Sequence, residues 1–175
     1  MTFQRRFVSK IISLLLLWLS VMLLGGCTPE YNWRETTVAD GRGIIMFPSR
    51  IQTEQRPIQV EGISSTFSMT SSAVEQAVFS VGFMPIPEAI SQEKSKALVN
   101  KFVSALAVRA GKLAPESAQA GEIFTLETSV ANQSSLMMAR VVVHRGMLIQ
   151  VVVSGPKQSL SKENALEFVR SLRLK

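Results

Sequence analysis

Apolar and polar residues alternate with a period near two through much of the chain, and the period changes in two places. Pro57–Glu61 sets Ile58 and Val60 against Gln59 and Glu61. Ile63–Ala73 places Ile63, Phe67 and Met69 among serines and threonines, and Gln76–Met84 carries Val78, Phe79, Val81 and Phe83. Such runs predict half-buried antiparallel strands. Gly62 marks a turn between the first two, whereas Val74-Glu75 has poor turn chemistry and leaves that boundary open. Upstream, Trp33-Arg34-Glu35 begins the fold, and Thr36–Asp40 and Gly43–Phe47 are shorter strand-like runs. Asp40-Gly41-Arg42 joins them as an Asp-Gly turn. Phe47-Pro48-Ser49 ends the second, because proline cannot donate to a ladder.

The period shifts to a helical one between Ser91 and Ala110. Leu98, Phe102, Ala105, Leu106 and Arg109 fall on one stripe, with Lys94, Lys96 and Lys101 elsewhere on a solvated face. Ser91 is the expected N-cap and Gly111 the left-handed stop. Lys112–Ala120 reads as a loop and Glu122–Ser129 as a strand. Ala131-Asn132-Gln133-Ser134 reads as a turn. Met137–His144 and Met147–Ser154 follow, joined by a tight hairpin at Arg145-Gly146. Val141-Val142-Val143 and Val151-Val152-Val153 are apolar at consecutive positions, which predicts burial on both faces. Ser161 caps a last helix whose apolar face is Ala165, Phe168, Val169 and Leu172. The predicted class is α+β: a mostly antiparallel sheet flanked by helices, in one domain over residues 33–175.

The first 26 residues have a different character. Arg5, Arg6 and Lys10 precede the apolar stretch Ile11–Gly26, interrupted only by Ser13 and Ser20. As a helix this stretch would be about 24 Å long, short of the about 30 Å hydrocarbon core. A basic start, a short apolar run and small residues at its end predict a secretory signal over residues 1–26. The alternative is a short signal-anchor retained in the membrane. Leu24-Gly25-Gly26-Cys27 resembles the lipobox of bacterial lipoproteins. The resemblance implies that Cys27 carries a diacylglyceryl thioether and becomes the mature N-terminus, with 27–32 as a lipidated tether. Two or more acyl chains hold a protein stably, at about 0.8 kcal/mol per buried methylene. Thr28, rather than Asp, follows the cysteine. By resemblance to the sorting rule of enteric bacteria, this implies the periplasmic face of the outer membrane, with the inner membrane as the alternative.

Charge and composition narrow the chemistry. The nineteen Lys and Arg and thirteen Asp and Glu leave +6 overall. Three of those bases lie in the first 26 residues, and the remainder are too scattered for a nucleic-acid footprint. With one Cys, one His144 and one Asp40, the chain can build neither an internal disulfide nor a Cys/His zinc site. Asp40 is explained by its turn. His144, at a strand end beside Arg145-Gly146, has no nucleophile elbow to serve. Ser64-Ser65, Ser68 and Ser71-Ser72 read as the outer face of a strand. Phosphate-binding glycine motifs are absent from the sequence. Met46, Met69, Met84, Met137, Met138 and Met147 fit core filling, or else an adaptable apolar groove. No catalytic residue, metal or cofactor is therefore expected.

The layout beyond residue 32 resembles the PsbP-like family, including its DcrB-like bacterial lipoproteins. The resemblance rests on Trp33, Asp40-Gly41, Phe47-Pro48-Ser49 and the central helix Ala97–Arg109. It also rests on two long strands followed by a helix ending Phe168–Leu174. It implies a PsbP-like fold and a binding, assembly or stabilising role, with no catalytic residues to carry over. The lipid anchor and shorter length depart from the photosystem member, so a photosynthetic role is not implied. Two expectations follow. One is a lipid-anchored, non-catalytic module of the periplasm that binds an envelope protein. The other is a carrier of a small apolar ligand or lipid, in a pocket between the long helix and the sheet.

Overall fold

A strand that is apolar on both sides must be covered on both sides, and the layering is built around that requirement. The computed structural model describes residues 31–115, 118–130 and 133–175, and Tyr31–Lys175 forms one compact unit. Its order is β1 (Arg34–Val38), β2 (Gly43–Phe47), β3 (Gln52–Val60), β4 (Ile63–Val74) and β5 (Ala77–Pro85). Then come α1 (Gln92–Arg109), β6 (Ile123–Val130), β7 (Gln133–His144), β8 (Met147–Pro156), α2 (Lys162–Arg170) and β9 (Arg173–Leu174). The predicted single sheet is in fact two. One has three strands in the order β1-β2-β9, and the other has six in the order β3-β4-β5-β8-β7-β6. All pairings are antiparallel.

The six-stranded sheet is the middle layer. On one face Phe79 and Val81 of β5 and Ile149, Val151 and Val153 of β8 pack against Phe168 and Val169 of α2 and Ile45 and Phe47 of β2. On the other, Leu148 and Val152 of β8, Val141 of β7 and Phe124 of β6 pack against Leu98, Phe102 and Leu106 of α1. The valine triplets are thus divided between two cores. The small sheet was not foreseen because β9 has only two residues, too few to show a period. It returns the chain to β2 by pairing Gly43 with Leu174 and Ile44 with Arg173.

The helix ends follow local chemistry. Ser91 Oγ accepts from the Lys94 amide at 3.3 Å, and Ser161 Oγ from the Asn164 amide at 3.1 Å. Gly111, at φ +66°, stops α1 as expected. The amides of Lys112 and Gly111 donate to the carbonyls of Ala107 and Val108, a Schellman arrangement. The buried stripe of α1 differs from the predicted one. It is Leu98, Val99, Phe102, Val103, Leu106 and Ala107, leaving Ala105 and Arg109 exposed. The last helix stops at Arg170, partway through the Phe168–Leu174 run rather than at its end, with Ser171 as its C-cap.

Several boundaries also move. β3 starts at Gln52 rather than Pro57 because its first half is polar on both sides, as befits an exposed edge strand. β7 starts at Gln133, inside the predicted turn, and residues 131–132 lie outside the described residues. The open β4–β5 boundary is a two-residue turn with Glu75 at φ +50°. Ser68 and Ser72, expected on an outer face, are buried, as is Thr70 between them, beside Phe83, Phe79 and Val81. Thr70 pairs its hydroxyl with that of Thr53 at 3.0 Å, whereas Ser72 Oγ has no hydrogen-bond partner.

The expected signal over residues 1–26 lies outside the described residues, as do Cys27 and most of the tether. Tyr31 and Asn32, assigned to that tether, belong to the folded body. Asn32 donates its amide to the Pro48 carbonyl at 2.8 Å, and the Tyr31 hydroxyl donates to the Ser159 carbonyl at 3.1 Å. Tyr31 and Trp33 stack with centroids 5.6 Å apart, and each meets Phe79 edge-on at 6.0 Å. Phe79 in turn meets Phe168 at 5.2 Å. Aromatic contacts therefore run from the start of the described chain to α2.

Arg145 turns the β7–β8 hairpin at φ +44°, ahead of Gly146 at +69°. This left-handed conformation costs a residue with a Cβ roughly 1–2 kcal/mol, and Asn-Gly is its favoured dipeptide. The Arg145 carbonyl accepts from Arg42 Nε at 3.0 Å, a backbone bond that any residue would retain. Arg145→Asn is expected to raise stability by about 1 kcal/mol, measured as a higher midpoint in urea unfolding.

Candidate functional site

The cleft begins where α1 stops covering the sheet. Six strands at about 4.8 Å spacing set the two edge strands about 24 Å apart, while a helix with its side chains is about 10–12 Å across. One helix cannot roof that width. The uncovered flank over β3 and β4 forms a cleft of about 300 Å³.

Its floor and walls are apolar: Phe67 and Met69 of β4, Ile58 and Val60 of β3, and Phe102 and Leu106 of α1. Phe67 holds the centre. Its ring lies 5.9 Å from that of Phe102 and carries the Arg56 guanidinium 5.6 Å above its centroid. The ring can lie there because β5 has Gly82 beneath it; a Cβ at that position would stand 2.2 Å from the ring tip. Gln150 of β8, the register partner of Gly82, adds the one amide close to the middle of the sheet.

Three cations rim this apolar space: Arg56, Lys101 and Arg109. Among the described residues none of them pairs with a carboxylate, the two ion pairs being Lys157–Glu127 and Arg173–Glu35. Lys101, Ala105 and Arg109 are spaced by four, so they form one row along the helix. A smaller recess of about 110 Å³ shares Arg56, Phe67, Met69 and Arg109 and adds Glu54 and Gln55. A second hollow beneath α1 is about 480 Å³, but polar groups such as Gln92, Asn100 and Gln119 line much of it.

The residues singled out from the sequence are scattered. His144 sits at the end of β7, with Nε2 2.7 Å from the Lys175 carbonyl oxygen. Asp40 stands in a turn where Ala39, Asp40 and Gly41 all have positive φ. Among the described residues no group of three His, Cys, Asp or Glu could hold a metal ion. Of the methionines, Met84, Met138 and Met147 are buried in the core, whereas Met69 lines the cleft. Glu127 belongs to the β6 edge, where its hydrogen bond to Lys157 at 2.6 Å, then the charge of that lysine, hold its carboxyl below the usual range. It plays no part in the cleft.

Sequence reasoning missed all three rim cations as a group. Arg56 precedes the predicted strand, Lys101 falls on the predicted solvated face, and Arg109 falls on the predicted apolar stripe. The signal was present in the four-residue spacing of Lys101, Ala105 and Arg109 beside Phe102 and Leu106. Arg56, 45 positions before Lys101 in the chain, could be joined to them only by the fold.

Gly82→Ala is expected to force the Phe67 ring upward into the cleft and to lower stability by about 1–3 kcal/mol, the usual cost of overpacking. Adding Phe67→Leu should restore a large part of that loss. Urea unfolding of the single and double variants measures both.

No family model matches the chain, and no curated protein matches it either.

Proposed function

We propose that this protein is a non-catalytic binding module of the bacterial envelope, held to the membrane by acyl chains on Cys27, with the cleft beside α1 as its ligand site. The cleft is the observation that carries the reading. It lies between the long helix and the sheet, it is walled by Phe67, Met69, Phe102 and Leu106, and it opens to solvent. Binding sites of this kind are concave and mostly apolar, with few polar groups, and begin at about 300 Å³. A small molecule with an apolar body is the ligand such a space suits.

The envelope location draws its support from the sequence around Cys27. No helix among the described residues is long and apolar enough to cross a membrane. The periplasmic face of the outer membrane is the proposed address, and the PsbP-like fold is the proposed kinship for the two-sheet, two-helix architecture. Docking of an envelope protein through the β3 edge is less well supported. Proline at position 57 removes a donor there, and Glu54 and Arg56 place opposite charges along the same strand.

A neutral fluorescent probe, N-phenyl-1-naphthylamine, is expected to bind the wild-type protein saturably at one site. Ala105→Trp, at an exposed helix position in the cleft wall, should abolish that binding while leaving the unfolding midpoint nearly unchanged. Equal fluorescence enhancement by both proteins would remove the cleft as the site. For the anchor, Cys27→Ala should move the protein from the membrane fraction of cells to the soluble fraction.

A further inference from the structure

The proposed ligand site has a charge pattern that selects among apolar molecules. We infer that the cleft binds a single-chain fatty-acid anion, its carboxylate held by Arg56 and Arg109, which share one recess, and its alkyl chain laid between α1 and β3–β4. The inference rests on the cleft being a ligand site and names the class of molecule that fills it.

The argument is one of complementarity. Cations beside an apolar surface normally reach water or pair with acids. Here three exposed cations border one apolar slot, and among the described residues none is ion-paired, so all three are available to an anion at its mouth. A carboxylate at the mouth would accept from Arg56 or Arg109 through two parallel bonds, the geometry guanidinium favours. Lys101, about 12 Å along α1 from Arg109, would add positive potential at the rim without touching the carboxylate. Glu54, in the adjoining recess beside Arg56 and Arg109, disfavours a head group carrying a second negative charge.

The dimensions limit the rest of the molecule. At 1.5 Å per residue the row from Lys101 to Arg109 is about 12 Å long, which suits a medium-length alkyl chain. A volume of about 300 Å³ is at the small end for ligand sites and has no room for the two chains of a phospholipid. Phe67 and Phe102, 5.9 Å apart, present ring surface to such a chain, and Met69 adapts to its bends. Gln150 offers only an amide on the floor, so the deeper part of the site accepts no charge.

The test is competition against bound N-phenyl-1-naphthylamine on the full chain, using decanoate, decanol and decyltrimethylammonium. Decanoate should displace the probe about tenfold more effectively than decanol, the sum expected of a few partly exposed ion pairs, and the cation least of all. The decanoate advantage should shrink as salt is raised. It should vanish in the Arg56→Gln, Lys101→Gln, Arg109→Gln triple variant, where decanol competes as before. If decanoate and decanol compete equally on the wild type, the fatty-acid assignment is overturned while the apolar site stands. Failure of the probe to bind at all overturns both. Retention of the full decanoate advantage in the triple variant, with its unfolding midpoint unchanged, also overturns the assignment.

Discussion

Strand β8 is the constraint from which the rest of the architecture follows. Met147, Ile149, Val151 and Val153 face one way and Leu148 and Val152 the other, and all six are buried. Leaving either set in water would forfeit roughly 25 cal/mol for each Å² of apolar surface. A layer is therefore needed on each side. One side receives α2 and the small sheet, which together spread over a wide area. The other receives α1 alone. A helix laid on a sheet more than twice its width leaves a flank bare, and the cleft occupies that flank. The site thus arises from a mismatch between the number of strands and the number of helices available to cover them.

Within the flank, one missing methyl group sets the shape. Gly82 allows Phe67 to lie across β5, and Phe67 in that position supports both Phe102 from the helix and Arg56 from the edge strand. A backbone position with no side chain is usually a weakness in a strand. Here it is filled by the ring of a neighbouring strand, so the packing is kept while space remains above. The cost of the fold's other tight features falls on its turns. Glu61, Glu75 and Arg145 each accept left-handed backbone that glycine or asparagine would adopt more easily.

Much of the architecture was legible because it depends on local pattern. Ser91 and Ser161 cap their helices, Gly111 ends one, and the valine triplets predict burial on two faces. The parts that escaped have non-local causes. Gln52–Arg56 carries no apolar alternation because an edge strand has little to bury, and so Arg56 was invisible as a site residue. Ser68, Thr70 and Ser72 look like a solvent face by composition. Only the presence of a covering layer, supplied by segments distant in the chain, places them inside. Arg109 shows a further limit. A helical stripe drawn from spacing cannot tell whether its last member meets the sheet or stands at the margin where the sheet is uncovered.

The aromatic clamp at the start of the described chain has a mechanical meaning. Tyr31 is fixed by Trp33, Phe79 and the Ser159 carbonyl. Residue 27 is four peptide steps away, a contour of at most about 14 Å. If lipid is attached there, the reach of the body is set by those few residues. A span of that length would keep the folded body within about 14 Å of the point where the lipid enters the bilayer.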